Sequence, residues 1–211
     1  MAWAGVPVDE LCLDMAAVRR VFEGRHRAGQ APPPAFAAAL VAVHSRAGRP
    51  HVVLIRRAAG LAHNPGEMAF PGGRVEPGEG VVETALREAD EELALPPAAV
   101  EVLGWLDPVV ARSTGATVTP VVGLVAARPM LVPAPAEVEE VFDVALADLL
   151  VAARQEVWDG RPMYFFDLGE DTVWGMTARV LHQLLSEVVA AHGFLRARLG
   201  ATRDGSPGIL G

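Results

Sequence analysis

The chain is 211 residues long, 51% hydrophobic, and carries 18 basic against 26 acidic side chains for a net charge of −8. That length suits one domain of ordinary size with a real core, and an acidic chain without basic runs argues against a nucleic-acid backbone or an anionic membrane as its main partner. The single cysteine, Cys12, permits no internal disulfide and points to a reducing cytoplasmic compartment, where it reads as a small apolar residue near a helix start.

Every basic residue other than histidine is arginine, which we attribute to compositional bias rather than function. The opening MAWAGVPVDELCLDM has no basic run and meets acids before any long apolar stretch, unlike a secretion signal. No later hydrophobic stretch is both long and uninterrupted enough to span a bilayer, so a soluble protein is expected. A short helix is predicted over about Leu13 to Phe22, followed by a Pro-rich linker through Pro34; residues 1–34 are therefore set apart from a domain over 35–195 and a mobile tail over 196–211. Strands are expected near Ala37 to His44 and His51 to Arg56, joined by the Ala47-Gly48-Arg49-Pro50 turn. Next come a strand into a sharp Phe70-Pro71-Gly72-Gly73 turn, an acidic helix from about Val82 to Leu93, and strands near Val100 to Trp105 and Val118 to Val125. A short helix is read near Val138 to Leu150. Gln155 to Trp158 and Met163 to Phe166 flank Asp159-Gly160, a hairpin turn signature, and a last helix runs from about Thr177 to His192. Strands interspersed with helices on both sides of a sheet give an α/β sandwich.

The acidic helix carries the chemistry. Val82, Ala85, Leu86, Ala89 and Leu93 recur at helical spacing, which places Glu88, Glu91 and Glu92 on one face. Like charges at these steps repel by about 0.2–0.5 kcal/mol per pair, and they sit in the half of the helix where the backbone dipole disfavours them. A divalent cation such as Mg²⁺ or Mn²⁺ removes that conflict and recruits substrate phosphates as further ligands. Arg87, four residues before Glu91, can hold that carboxylate. Gly72 and Gly73 let the backbone approach an ion or phosphate closely. A solvated acidic helix face after a Gly-Pro loop is the competing reading.

The segment GRVEPGEGVVETALREADEELAL, from Gly73 to Leu95, resembles the box of the Nudix hydrolases, G-x5-E-x7-R-E-U-x-E-E-x-G-U with U aliphatic. Gly73, Glu79, Arg87, Glu88, Glu91, Glu92 and Leu95 fall in place, while Ala94 stands where the family has glycine. The resemblance implies a Nudix-type α/β/α sandwich with a mixed β-sheet, and metal-dependent hydrolysis of a nucleoside diphosphate linked to another moiety. It makes Glu88 and Glu92 the expected metal ligands, with Glu91 a further ligand, a partner that holds a ligand in place, or the catalytic base. A later glutamate is the other source of a base. Glu137, Glu139 and Glu140 qualify, Glu140 being preferred, although an exposed opening turn of a helix accounts for the same three acids.

Upstream, VLIRRAAGLAHNPGEMAFPGG is similar to the signature of the coenzyme A diphosphatase branch, approximately L-L-T-x-R-[SA]-x3-R-x3-G-x3-F-P-G-G. Arg57, Ala58, Gly66, Phe70, Pro71, Gly72 and Gly73 match; Ile55-Arg56 replaces Thr-x, and Ala62 stands in place of a second arginine of the kind that grips phosphate. Later segments continue the resemblance to about residue 190. Arg57, Gly66, Phe70, Gly72 and Gly73 are thus the expected substrate-binding residues. The expected reaction is cleavage of coenzyme A or acyl-CoA to phosphopantetheine and adenosine 3',5'-bisphosphate. Hydrolysis of ADP-ribose, dinucleotides or nucleoside triphosphates is the alternative, and a Nudix-fold binding protein without catalysis a third. A homodimer is expected from the resemblance. Trp174 reads as a core anchor, His63 as a solvated loop residue, and Ser113-Thr114-Gly115 as a strand connection. His44, His51, His182 and His192 lack metal-ligand spacing with one another.

Overall fold

A computed structural model of the chain describes residues 13–22, 31–111 and 115–203, with side chains through Ala191. Cys12, Ser113, Thr114, most of the Pro-rich linker and the last residues of the expected tail lie outside the described residues. Helix α1 is Met15–Phe22. The strands β1 (Ala37–Arg46) and β2 (Arg49–Arg57) form an antiparallel hairpin whose two-residue turn, Ala47-Gly48, has φ of 50° and 79°. Arg49 and Pro50 therefore belong to β2 rather than to the turn.

The short strands β3 (Met68–Ala69) and β4 (Gly72–Arg74) precede helix α2 (Val81–Leu93). A 3-10 turn over Pro97–Ala99 leads to β5 (Val100–Trp105), β6 (Val109–Val110) and β7 (Thr117–Val125). The main sheet runs β3-β2-β1-β7-β5, with β4 also on β1 and β6 on β7. Only β1 and β7 are parallel among these pairs, so the sheet is mixed.

The segment expected to be a helix over Val138 to Leu150 is mostly strand. β8 (Val138–Ala145) pairs antiparallel with β2, and only Leu146–Ala152 forms helix α3. Local acidity suggested a helix start, but Val138, Val141, Phe142 and Val144 suit a pleated surface, and β2 offers an open edge that local sequence cannot reveal. The expected hairpin is present as β9 (Ala153–Trp158) and β10 (Arg161–Leu168), with Asp159 and Gly160 both left-handed. A third strand not anticipated, β11 (Asp171–Val173), completes this second sheet. Helix α4 extends from Gly175 to Arg203, beyond the expected end at His192 and into the stretch read as a tail. Among the described residues no helix is long and apolar enough to cross a membrane.

Two apolar layers flank the main sheet. Val41, Val43, Val52 and Leu54 face a core with Phe22 of α1, Leu149 of α3, Phe166 of β10 and Leu181 and Leu185 of α4. Ala38, Leu40, Ala42, Val53 and Ile55 face Val81, Ala85, Ala89 and Leu93 of α2. The α/β/α sandwich of the sequence reading is thus realised, and the small Ala85 and Ala89 let α2 lie close on β1.

Candidate active site

Helix α2 meets the sheet where β4 leaves β1. Ala38 pairs with Gly73 and Ala39 with Gly72, and Leu40 donates its N–H to the Pro71 carbonyl at 2.8 Å. A Cβ on Gly72 would lie 2.6 Å from the Ala39 Cα, inside the β1 backbone. A Cβ on Gly73 would instead collide with the Glu88 carboxylate, whose Oε2 would be 2.6 Å away. The two glycines serve different ends: one fits the strand, the other leaves room for a carboxylate.

Glu92 lies on the buried stripe of α2, only 1% exposed, and accepts the Gly72 N–H at 3.0 Å. Burial above all pushes its pKa up to about 8; the Gly72 N–H and Arg57 oppose this, and the charges of Glu88 and Glu137 add to it. Burial likewise raises Glu88, with Arg87 opposing and Glu91 and Glu137 reinforcing. The exposed Glu91 projects from the rim.

Arg87 organises the acids. Its guanidinium donates to Glu79 at 2.9 and 3.1 Å, to Glu88 at 3.0 Å, to Glu91 at 2.8 Å, and to the Arg74 carbonyl at 3.2 Å. Glu79 also accepts from the Thr84 hydroxyl at 2.7 Å; Arg87 first and Thr84 second hold it down to about 2. One cation thus ties the loop before α2 to the middle of the helix. Among the described residues no three acids stand close enough together to enclose a metal ion by themselves. The arrangement suits a hard cation that shares its coordination with water and substrate phosphates rather than a closed protein cage. Two half-buried to buried carboxylates, each raised by its surroundings, are the charge such a cation would neutralise.

Arg57 is fixed by the loop joining β2 to β3. Its N–H donates to the Glu67 carbonyl at 3.0 Å, and Gly66 returns an N–H to the Arg57 carbonyl at 2.9 Å. The Gly66 φ of 71° is left-handed, as is that of Asn64 at 51°. The Arg57 guanidinium reaches 4.0 Å from Glu92, and its Nε is buried without a partner. Phe70 is buried beneath the turn, 5% exposed, while Ala62 and His63 are exposed in the loop.

The later acids separate. Glu140 sits opposite Arg56 on β2 and pairs with it at 3.1 Å; Arg56 also donates to Asp171 of β11 at 2.7 and 2.9 Å. Glu137 is the acid whose charge acts on Glu88 and Glu92. Its carbonyl accepts the Ala58 N–H at 2.9 Å, and Ala134 donates to the Glu92 carbonyl at 2.8 Å, so this loop spans Arg57 and α2. Across the register shift between Arg56 and Arg57, Arg56 stands opposite Glu140 and Arg57 opposite Val138, so Glu139 is the residue the irregularity leaves over. Trp174, expected in the core, is 49% exposed. His44 and His51 stack on each other at 5.6 Å, His44 pairing with Asp143 at 2.9 Å, and stand apart from these acids.

The NUDIX domain family profile matches residues 34–165. Two proteins described as uncharacterized Nudix hydrolase NudL are similar along much of the chain. That of Pectobacterium atrosepticum is 40% identical over 146 residues, 66% of this chain and 76% of that protein. That of Photorhabdus laumondii subsp. laumondii is 38% identical over 147 residues, 66% of this chain and 78% of that protein. Among solved structures, a C. elegans Ap4A hydrolase binary complex superposes with a TM-score of 0.52 at 18% identity, covering 78% of this chain and 99% of that one, a likeness of fold alone. The box residues therefore stand in a domain that both profile and relatives recognise, and the chain belongs to the Nudix hydrolases, enzymes that cleave diphosphate bonds of small nucleotide-derived substrates.

Proposed function

We propose that the chain is a coenzyme A diphosphatase, cleaving coenzyme A or its acyl derivatives to phosphopantetheine and adenosine 3',5'-bisphosphate. The observation that carries this reading is Arg57, the signature arginine, held 4.0 Å from Glu92 by the Gly66 loop with a buried, unpartnered Nε. A cation so placed suits a diphosphate bound at the acids. Glu88 and Glu92 are the proposed ligands of Mg²⁺ or Mn²⁺, with Glu91 at the rim as a further ligand or base. The metal supplies charge neutralisation and activation of water when bound. Arg87 keeps the acids in place, Arg57 orients the diphosphate, and Gly73 leaves Glu88 room. Of the later acids, Glu137 is better placed than Glu140 to take a proton from the attacking water, because Glu140 is engaged by Arg56. We place the protein in the cytoplasm on its lone cysteine, and a homodimer follows from the family resemblance.

A broader hydrolase of ADP-ribose, dinucleotides or nucleoside triphosphates is the second reading, favoured by the exposed Ala62 where the branch has arginine. The test is product analysis with coenzyme A, its analogue lacking the 3'-phosphate, ADP-ribose, a dinucleotide and a nucleoside triphosphate in parallel. Preferential release of phosphopantetheine supports the first reading. Activity confined to the other substrates supports the second, and no turnover of any would favour a binding protein.

A further inference from the structure

Three arginines among the described residues stack on a phenylalanine ring: Arg56 on Phe142, Arg154 on Phe165, and Arg74 on Phe36. The first two are committed elsewhere. Arg56 is held by Asp171 and Glu140, and Arg154 by Asp167 and Glu156. Phe165 is buried, and Phe142 is partly buried. Arg74 differs on each count: its guanidinium lies 4.8 Å from the Phe36 centroid, pairs with no carboxylate among the described residues, and is exposed, as is Phe36 at 50%.

This pair is also built into the active-site loop. Arg74 directly follows Gly73, so their Cα atoms are about 3.8 Å apart, and its carbonyl accepts from Arg87. Opposite it stands Ala37, next to Phe36, whose carbonyl accepts the Val75 N–H at 3.1 Å and whose own N–H donates to the Thr117 carbonyl at 3.0 Å. Two backbone hydrogen bonds pin Phe36, and Arg87 holds the Arg74 carbonyl. An exposed guanidinium and an exposed ring therefore stand together one residue along β4 from Gly73, with Arg74 leaving from the sheet face opposite the one that Gly73 offers Glu88. A lone exposed phenylalanine needs no explanation. An exposed ring already paired with an uncommitted guanidinium, beside a diphosphate site, is a surface on which a planar π-system gains from stacking on ring and cation together.

We propose that Phe36 and Arg74 form the platform for the purine base of the nucleoside diphosphate, and so determine which end of an asymmetric substrate lies on this side of the acids. The proposal rests on the diphosphatase reading for its setting, but its test does not need turnover. Binding of α,β-methylene-ADP is compared with that of methylenediphosphonate, which presents the same bridged diphosphate without the nucleoside, by calorimetry in Mg²⁺. Wild type is expected to bind the adenosine compound more tightly. Phe36→Ala and Arg74→Ala should each raise its dissociation constant by about tenfold, the scale of one lost base stack, with methylenediphosphonate unaffected. Phe36→Trp, which keeps a stacking face, should retain the affinity and controls for misfolding.

Equal weakening of both ligands, an unchanged dissociation constant in both alanine variants, or a wild type that does not prefer the adenosine compound would each overturn the platform. If wild type binds the adenosine compound through these residues yet hydrolyses no diphosphate, the platform stands and the hydrolase reading fails.

Discussion

Replacing Gly72 and Gly73 singly by alanine should separate folding from catalysis within one dipeptide. On Gly72 the new Cβ would sit 2.6 Å from the Ala39 Cα. Backbone cannot move aside there without opening the β1–β4 pairing and displacing the Gly72 N–H that serves Glu92. Overpacking of this kind costs about 1–3 kcal/mol, which for a chain of this size lowers Tm by roughly 2–12 °C. On Gly73 the obstacle is the end of the Glu88 side chain, which can rotate away. The stability change there should stay within about 1 kcal/mol, since losing a glycine also reduces unfolded-state entropy. Turnover should nonetheless fall by about 10²–10³, the scale of losing one preorganised electrostatic group. Thermal unfolding and steady-state kinetics on both variants read this out. A Gly73→Ala protein with full activity, or one as destabilised as Gly72→Ala, would refute the idea that the missing side chain exists to seat Glu88.

Three further outcomes are expected. Ala94 ends α2 in the left-handed region at φ 52°, its N–H bonded to Asp90 and the following Leu95 N–H reaching Ala89; because that conformation costs a non-glycine residue roughly 1 kcal/mol, Ala94→Gly should raise Tm by about 2–4 °C with kcat unchanged. Glu79 has a pKa depressed to about 2 by Arg87 and Thr84, so its ionised form stabilises the fold above its ordinary pKa, and that contribution is lost as pH falls towards 2. The stability gap between wild type and Glu79→Gln in denaturant titrations should accordingly be present at neutral pH and close in strong acid; a gap that widens on acidification would be incompatible with this assignment. Phe166, fully buried between β10 and α4, should cost about 3–5 kcal/mol on truncation to alanine, visible as a lowered denaturant midpoint.

The acidic helix was readable because its signal is local. Ala85, Ala89 and Leu93 mark the buried stripe, and Glu92 falls on that stripe, so its burial follows from the helical period once a reason for a buried carboxylate is admitted. The αL state of Ala94 was likewise implied by the glycine it replaces. What the sequence concealed depended on non-local pairing. Val138 to Ala145 became a strand because β2 has an edge to fill, and that pairing sets Glu140 opposite Arg56, which engages it. Trp174 follows a strand, β11, that the sequence reading omitted, and its half-exposed position was lost with it. The Phe36–Arg74 stack links residues far apart in sequence through the β1–β4 pairing, and no periodicity announces it.

The central claim, that the acids of α2 act through a divalent cation on a diphosphate, is tested most directly by assaying diphosphate hydrolysis in protein stripped by chelation and then resupplied with Mg²⁺ or Mn²⁺, for wild type and Glu92→Gln side by side. Turnover should vanish on stripping and return with either metal in wild type. In Glu92→Gln it should stay at least about 10²-fold lower at every metal concentration, while the variant remains folded because the glutamine amide oxygen can still accept the Gly72 N–H. Hydrolysis that survives chelation, or a Glu92→Gln protein whose metal-dependent turnover matches wild type, would contradict the account.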